Sequence, residues 1–459
     1  MDISAFLPGL GNTAFTVVAF VIALSVIVFV HEYGHYIVGR WSGIKAEVFS
    51  IGFGPRLWSR VDRRGTRWQI AAIPFGGYVK FLGDADAASA GTDEEVVREL
   101  TPEERRHTMA GAPLWARAAT VAAGPIFNFI FTIVIFTGVI LTDGRVAEPI
   151  RIAEMHPLPG AANGLRVGDE IIAIAGIELP KTSAGNSDIN ALRDELPKEP
   201  QLAYTVRRAG EVMDVPGPFP FPASVANVIP LSAAADAGLQ EGDVITAVDG
   251  APIFDFDQLK TRVEAGEGKP LRLGVWRAGQ QAEFVLKPRR VDEPDGEGGF
   301  RTEWRIGIAN TIFFEPARES VGFIEALKAG VMGVWRVIDL AFSGLVNLIS
   351  GAISSCNMAG PLTMAQLAGH SASQGAASFI ELIALISTAI GLFNLFPVPA
   401  LDGGHLVFYG YEAIFRRPAP EKVHTFLMLL GLAMILSLMV FAVGNDIVCW
   451  LMRKEWMPF

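Results

Sequence analysis

Residues 14–38 read AFTVVAFVIALSVIVFVHEYGHYIV, an apolar run with no charge before His31-Glu32. A bilayer core of about 30 Å is crossed by roughly 20 apolar residues in helical form, so this run reads as a membrane span. An ionisable side chain deep in such a span costs on the order of 3 kcal/mol, and groups kept at that cost are functional candidates. His31-Glu32-Tyr33-Gly34-His35 is an H-E-x-x-H pattern. On a helix, positions i and i+4 share a face, so both imidazoles can hold one metal ion. Glu32 can reach the ion's open position. Zinc held this way lowers the pKa of a coordinated water to about 7, and the carboxylate takes its proton as the water attacks an amide carbonyl. The alternative, a polar cluster that only packs on a neighbouring helix, leaves these groups in a charge-free run without a purpose.

Three further runs are long and apolar enough to span: about Ala118–Leu141, Phe379–Val398 and Thr425–Val443. Four spans are therefore expected. Between Val321 and Ser350, Lys328, Arg336 and Asp339 fall among Phe323, Leu327, Val331 and Trp335. That amphipathic pattern predicts a helix lying along the interface. Basic residues crowd the loop after the first span (Arg40, Lys45, Arg56, Arg60, Arg63 and others) and recur at Arg416, Arg417 and Lys422. By the positive-inside rule both segments are cytoplasmic, which puts the N-terminus, the central region and the C-terminus outside. Asp2 replaces the basic start of a signal peptide, so the first span is expected to be retained. The chain is 51% hydrophobic but concentrates that character near its two ends, and the middle has the balance of a soluble module. A net charge of −10, with no basic cluster interleaved with aromatics, excludes nucleic-acid binding.

The middle contains a repeat. Gly164-Leu-Arg-Val-Gly168-Asp169-Glu-Ile171 returns as Gly238-Leu-Gln-Glu-Gly242-Asp243-Val-Ile245, offset by 74 residues. Each copy reads as a turn, a strand of alternating apolar residues and a tight turn at Gly176 or Asp249-Gly250. Two tandem small domains are implied, and the pattern resembles bacterial PDZ domains, which bind extended peptides along a sheet edge. Between the first two spans, Leu57 to Tyr78 reads as strands joined by a polar turn at 62–65, rich enough in aromatics to dip into the membrane surface. Asp84 to Gly111 is acidic, polar and expected to be mobile.

A catalytic zinc site needs three protein ligands and an open position. With only two cysteines in the chain, the third ligand must be a carboxylate or histidine. Asn394-Leu-Phe-Pro397-Val-Pro399-Ala-Leu-Asp402-Gly403-Gly404 lies at the cytoplasmic end of the third span, on the same side as His31 and His35. Its prolines and glycines break the helix, which a membrane tolerates only where backbone lines a protein cavity. Asp402 and His405 are the two candidates.

H-E-Y-G-H, the later N-x-x-P-x-x-x-L-D-G-G, the tandem insert and Gly124-Pro125…Asn128 together resemble the site-2 protease family of intramembrane metalloproteases, over nearly the whole chain. The resemblance implies that His31, His35 and Asp402 ligate Zn2+ and Glu32 is the catalytic base, with Asn394, Pro397 and Pro399 handling substrate. It implies an inner-membrane enzyme that cuts single-pass membrane proteins, typically anti-sigma factors already trimmed outside, with the PDZ-like pair excluding untrimmed substrates. Partners are then that substrate, membrane lipid and a peptide or protein ligand of the PDZ-like pair.

The expected fold is a polytopic α-helical membrane protein of about four transmembrane helices, with a membrane-associated β-region and two periplasmic PDZ-like, β-rich α+β domains. Its parts are a first span (residues 1–40), a loop with a β-hairpin (41–113) and a second span (114–143). Two PDZ-like domains (144–218 and 219–312) and an interfacial helical region (313–372) follow. The third span with its broken helix (373–404), a cytoplasmic segment (405–424) and the fourth span with the C-terminus (425–459) complete the chain. Cys356 and Cys449 both fall outside by this topology, where an oxidising compartment permits a disulfide; two separate buried thiols are the expectation. A metal transporter would show inverted repeats, and none is seen. A silent scaffold would have no need of Glu32.

Overall fold

The computed structural model describes residues 7–84, 94–160, 163–179, 192–294 and 300–454. Among them, five helices are long and apolar enough to cross a membrane, one more than the four expected, because Phe323–Ile349 also meets the test of length and composition. The chain divides into two units. One comprises the residues up to Val139 with Phe323–Val346 and Met358–Trp450, the other Ile140–Gly322 with Asn347–Asn357.

In the first unit, α1 (Leu7–Trp41) carries H-E-x-x-H in its last third. It stops at Gly43, whose φ of +85° lets the Ile44 N–H reach back to the Gly39 carbonyl at 2.8 Å. An antiparallel hairpin follows, β1 (Ala46–Val61) and β2 (Arg67–Phe81). Asp62 shapes its turn by accepting from the Arg64 and Thr66 N–H groups at 2.8 and 3.0 Å. At its base Trp68 stacks on Phe49 with ring centroids 4.4 Å apart, and Tyr36 of α1 meets both rings edge-on. Beyond Gly52 the hairpin leaves that core, and Leu57, Trp58 and Val61 are exposed.

The stretch expected to be mobile is in part ordered. Residues 85–93 lie outside the described residues, but Glu94–Glu99 and Pro102–Arg105 form short helices. Thr101 and Glu104 make a reciprocal capping box, and the Arg105 guanidinium donates to the Val97 and Arg98 carbonyls. Local capping decides the outcome there, which the acidic composition did not show.

The longer helices outside the repeat region are α2 (Leu114–Asp143), α3 (Phe323–Ile349), α4 (Pro361–Ser373), α5 (Ala376–Asn394), α6 (Asp402–Phe415) and α7 (Glu421–Lys454). In lipid no hydrophobic drive pulls apolar helices together, so small residues and polar contacts set the packing. Gly34 of α1 faces α2 so closely that a Cβ there would sit 2.5 Å from the Ala123 carbonyl oxygen. Between α2 and α5, the Thr132 hydroxyl donates to the Ala384 carbonyl at 2.8 Å and the Ser387 hydroxyl to the Asn128 carbonyl at 3.3 Å. Asp446 of α7 accepts from the N–H groups of Gly360, Leu362 and Thr363, so a buried carboxylate and the unpaired donors of the α4 N-terminus satisfy each other.

The second unit holds the repeat. One sheet has the order β4-β3-β5-β6 (Ile177–Glu178, Glu170–Ile174, Gln201–Arg208, Glu211–Pro218). The other has β8-β7-β9-β10 in the same arrangement (Ala251–Pro252, Val244–Val248, Leu271–Arg277, Gln280–Leu286). Both carry a register break at the same place in the repeat, Ile171/Ala173 and Ile245/Ala247. The Gly-Asp pair of each copy has a physical task. Asp169 accepts from the Arg166 N–H and takes a bidentate bond from Arg208, whose guanidinium also reaches the Gly164 carbonyl. Asp243 does the same with the Gln240 N–H, Arg277 and the Gly238 carbonyl. The preceding Gly168 and Gly242 have φ of +93° and +88°, a turn that strains any other residue.

Cys356 and Cys449 are both disulfide-bonded, which corrects the expectation of two separate thiols.

Candidate metal centre

Three side chains converge inside the first unit. His31 Nε2 lies 3.2 Å from His35 Nε2 and 3.1 Å from Asp402 Oδ2, and His35 Nε2 lies 3.5 Å from Asp402 Oδ1. Ligands held tetrahedrally at the zinc distances of about 2.0–2.1 Å stand about 3.3 Å from one another, so this triangle has the size that zinc requires. The three side chains are only 12–16% exposed, and Asp402 Oδ2 is buried without a hydrogen-bond partner. Two imidazole nitrogens and a carboxylate oxygen aimed at one point are a donor set for a divalent cation.

Each of the three side chains is held from a different direction. His31 and His35 are one helical turn apart on α1. His35 Nδ1 lies 2.9 Å from the Thr120 carbonyl of α2, which leaves Nε2 to face inward. His31 Nδ1 lies 3.3 Å from the side-chain amide of Asn128, one face along the same helix. Between these two contacts α2 presents Gly124, where a Cβ would fall 2.4 Å from His35 Nε2 and 2.9 Å from His31 Cε1. Backbone alone can pass there.

Asp402 comes from the broken helix. Asn394 ends α5 with its amide donating to the Ile390 carbonyl at 3.0 Å. The chain then doubles back through Ala400, at φ +85°, and restarts as α6 with Asp402 in its first turn. Gly403 and Gly404 press on the loop's own backbone; added Cβ atoms would meet the Phe396 and Val398 oxygens at 2.2 and 2.4 Å. That is why two glycines follow the aspartate. Pro399 packs under Gly431 of α7, while Pro397 is exposed. The structure thus sets Asn394, Pro397 and Pro399 in the segment that delivers Asp402. Arg117 of α2 pins α6 from the side, donating bidentately to Glu412 at 2.6 and 3.0 Å and lying over the Tyr409 ring.

Glu32 sits on the β-hairpin side. Its carboxylate accepts from the Val79 backbone, and a Cβ on Gly77 would lie 3.2 Å from Glu32 Cγ. His405, the rival third ligand, is outside the converging group; its ring lies 6.4 Å from that of His424. The roles of Thr120, Gly124, Asn128 and the Arg117–Glu412 pair were not legible beforehand. Asn128 alone offered a signal, since an amide in an apolar span needs a partner. Thr120 acts through its backbone and left no trace in residue type.

The model of the peptidase family M50 matches residues 19–438. A Rhizobium meliloti relative named among the zinc metalloproteases is 36% identical over 440 residues, covering 95% of this chain and 98% of its own. A Vibrio cholerae relative with the same kind of name is 35% identical over 462 residues, covering 94% of this chain and 97% of its own. The regulator of sigma-E protease RseP of Salmonella typhimurium is 34% identical over 462 residues, covering 93% of this chain and 97% of its own. The chain belongs to peptidase family M50, the site-2 protease family of zinc metalloproteases that work in membranes.

Proposed function

We propose that this zinc metalloprotease cuts the transmembrane segments of single-pass membrane proteins, with His31, His35 and Asp402 as its zinc ligands and Glu32 as its catalytic base. The observation that carries the reading is the triangle of ligand atoms, 3.1–3.5 Å on a side, inside a unit made of apolar helices. Zinc, when bound, supplies Lewis-acid activation of water at neutral pH. Glu32 takes the proton from the attacking water and returns it to the departing amide nitrogen. A helical substrate must first unwind, because its carbonyls are bonded within the helix. Residues 48–51 of β1 pair on both sides, with residues 77–80 and 67–70 of β2, so the sheet's outer edges are residues 77–81 and 56–61, and an extended substrate can pair on the first of these, close to Glu32. Asn394, Pro397 and Pro399 would hold the same substrate from the α5–α6 side.

The name of the Salmonella relative, a regulator of sigma-E protease, supports a substrate that controls a sigma factor; that this substrate is an anti-sigma factor, cut after trimming outside in an envelope stress response of the bacterial inner membrane, is part of the reading proposed here. The two matching sheets support a PDZ-like pair; that the pair admits trimmed substrates and excludes larger ones belongs to the same proposal. Four crossings with α3 along the interface keep these domains and both termini periplasmic. Support comes from chain connectivity, since α3 leaves the second unit after Gly322 and rejoins it at Asn347. An oxidised cysteine pair fits an oxidising compartment.

The test is cleavage of a trimmed anti-sigma transmembrane substrate by the purified protein in detergent, beside Glu32→Gln and with a zinc chelator. Cleavage by the parent alone, lost under both perturbations, supports the reading. No cleavage by a protein that holds stoichiometric zinc refutes it.

A further inference from the structure

Asn128 is fully buried on α2, and its two amide atoms are unequally served. Nδ2 lies 3.3 Å from His31 Nδ1, while Oδ1 is buried with no partner at all. A histidine that ligates a cation through Nε2 carries its proton on Nδ1, and there it needs an acceptor. His31 Nε2 is the atom aimed at His35 Nε2 and Asp402, so its Nδ1–H points at Asn128. An amide NH2 cannot accept a hydrogen bond, whereas the amide oxygen can. Rotating the amide by half a turn exchanges the two ends without moving the helix. It pairs the orphaned Oδ1 and gives His31 the acceptor it needs.

We propose that Asn128 is a positioning residue whose side-chain oxygen accepts from His31 Nδ1–H and so fixes the tautomer in which Nε2 is free to hold the metal. The inference rests on the reading of His31 as a ligand. Thr120 does for His35 what Asn128 does for His31: its carbonyl lies 2.9 Å from His35 Nδ1. One helix therefore orients both imidazoles, eight positions apart on a single face (Thr120 and Asn128, with Gly124 between). The difference is that the His31 acceptor is a side chain and can be tested by substitution. Its backbone is independently tied, since the Ser387 hydroxyl donates to the Asn128 carbonyl, so a side-chain change leaves the α2–α5 contact in place.

The test compares Asn128→Asp with Asn128→Leu in the full-length protein, reading zinc affinity by chelator competition, the visible bands of the cobalt-substituted form, and melting of the metal-free protein. Aspartate accepts and cannot donate; leucine does neither. Asn128→Asp should bind zinc at least as tightly as the parent, with unchanged cobalt bands. Asn128→Leu should lose about 10–100-fold in affinity and shift the bands, while the metal-free melting stays close to that of the parent. Aspartate failing as badly as leucine, or leucine binding like the parent, overturns the proposal. If the parent itself binds no zinc, or His31→Ala binds as well as the parent, the ligand assignment fails instead.

Discussion

Replacing Gly124 by alanine sets a methyl group against both histidines of the metal centre. The new Cβ would lie 2.4 Å from His35 Nε2 and 2.5 Å from its Cε1, where ordinary contact begins at 3.4 Å. Something must retreat by about 1 Å, against a tolerance of about 0.2 Å for metal–ligand distances. The helix has little room to retreat instead, because α5 packs on its far side, where a Cβ at Gly391 would already be 3.1 Å from the Pro125 oxygen. The imidazoles therefore move. Disturbing the support of a metal ligand costs about 10–100-fold in affinity, or about 1.4–2.8 kcal/mol. Gly124→Ala should show that loss by chelator competition, with cleavage falling in step at limiting zinc. Gly138→Ala, on the same helix with open space around it, should change neither. Parent-like zinc affinity in Gly124→Ala would refute the reasoning, because the methyl would then have found room that the geometry denies it.

Glu32→Gln should keep stoichiometric zinc and lose about 10²–10⁴-fold in cleavage rate, read by single-turnover assay, because only proton transfer is removed. Arg117→Ala leaves the mostly buried Glu412 carboxylate without its bidentate partner. It should destabilise the protein by about 1–3 kcal/mol and weaken zinc binding through α6, and the exchange Arg117→Glu with Glu412→Arg should recover most of the loss in thermal melting. In the second unit, the Arg208 guanidinium holds the Asp169 carboxyl below its usual value of 3.8. A depressed folded-state value stabilises above the unfolded value and is lost as pH falls through the folded one. Melting of that unit should be flat with pH near neutrality, where the pair's contribution is fully present, and should weaken below the usual carboxylate range; Arg208→Gln should lower melting at neutral pH and shrink that acid-side decline.

Much of the metal centre was legible from residue types. His31 and His35 are four apart in an apolar helix, and both the shared face and the cost of burying them follow from that spacing alone. The repeat was also legible: the 74-residue offset returns in backbone angles, with Ala175 and Asp249 at φ of +51° and +49° and Gly176 and Gly250 at +79° and +78°. Turns are local, so similar local sequence produces matching turns. Composition was a poorer guide where capping governs. The acidic stretch after β2 contains a capping box.

The sequence by itself nominated the groups proposed to do chemistry: a helix with two imidazoles and a carboxylate on it, and a broken helix that offers Asp402 or His405. Choosing between those two took the fold, because the turn at Ala400 and the glycines after Asp402 aim the carboxylate, and only the carboxylate, at the histidines. The support from Thr120 and Asn128, the clearance at Gly124, the Arg117–Glu412 clamp and the oxidised state of Cys356 and Cys449 were likewise decided only in three dimensions. Each joins residues far apart in the chain, and no local propensity or spacing encodes a distance across helices.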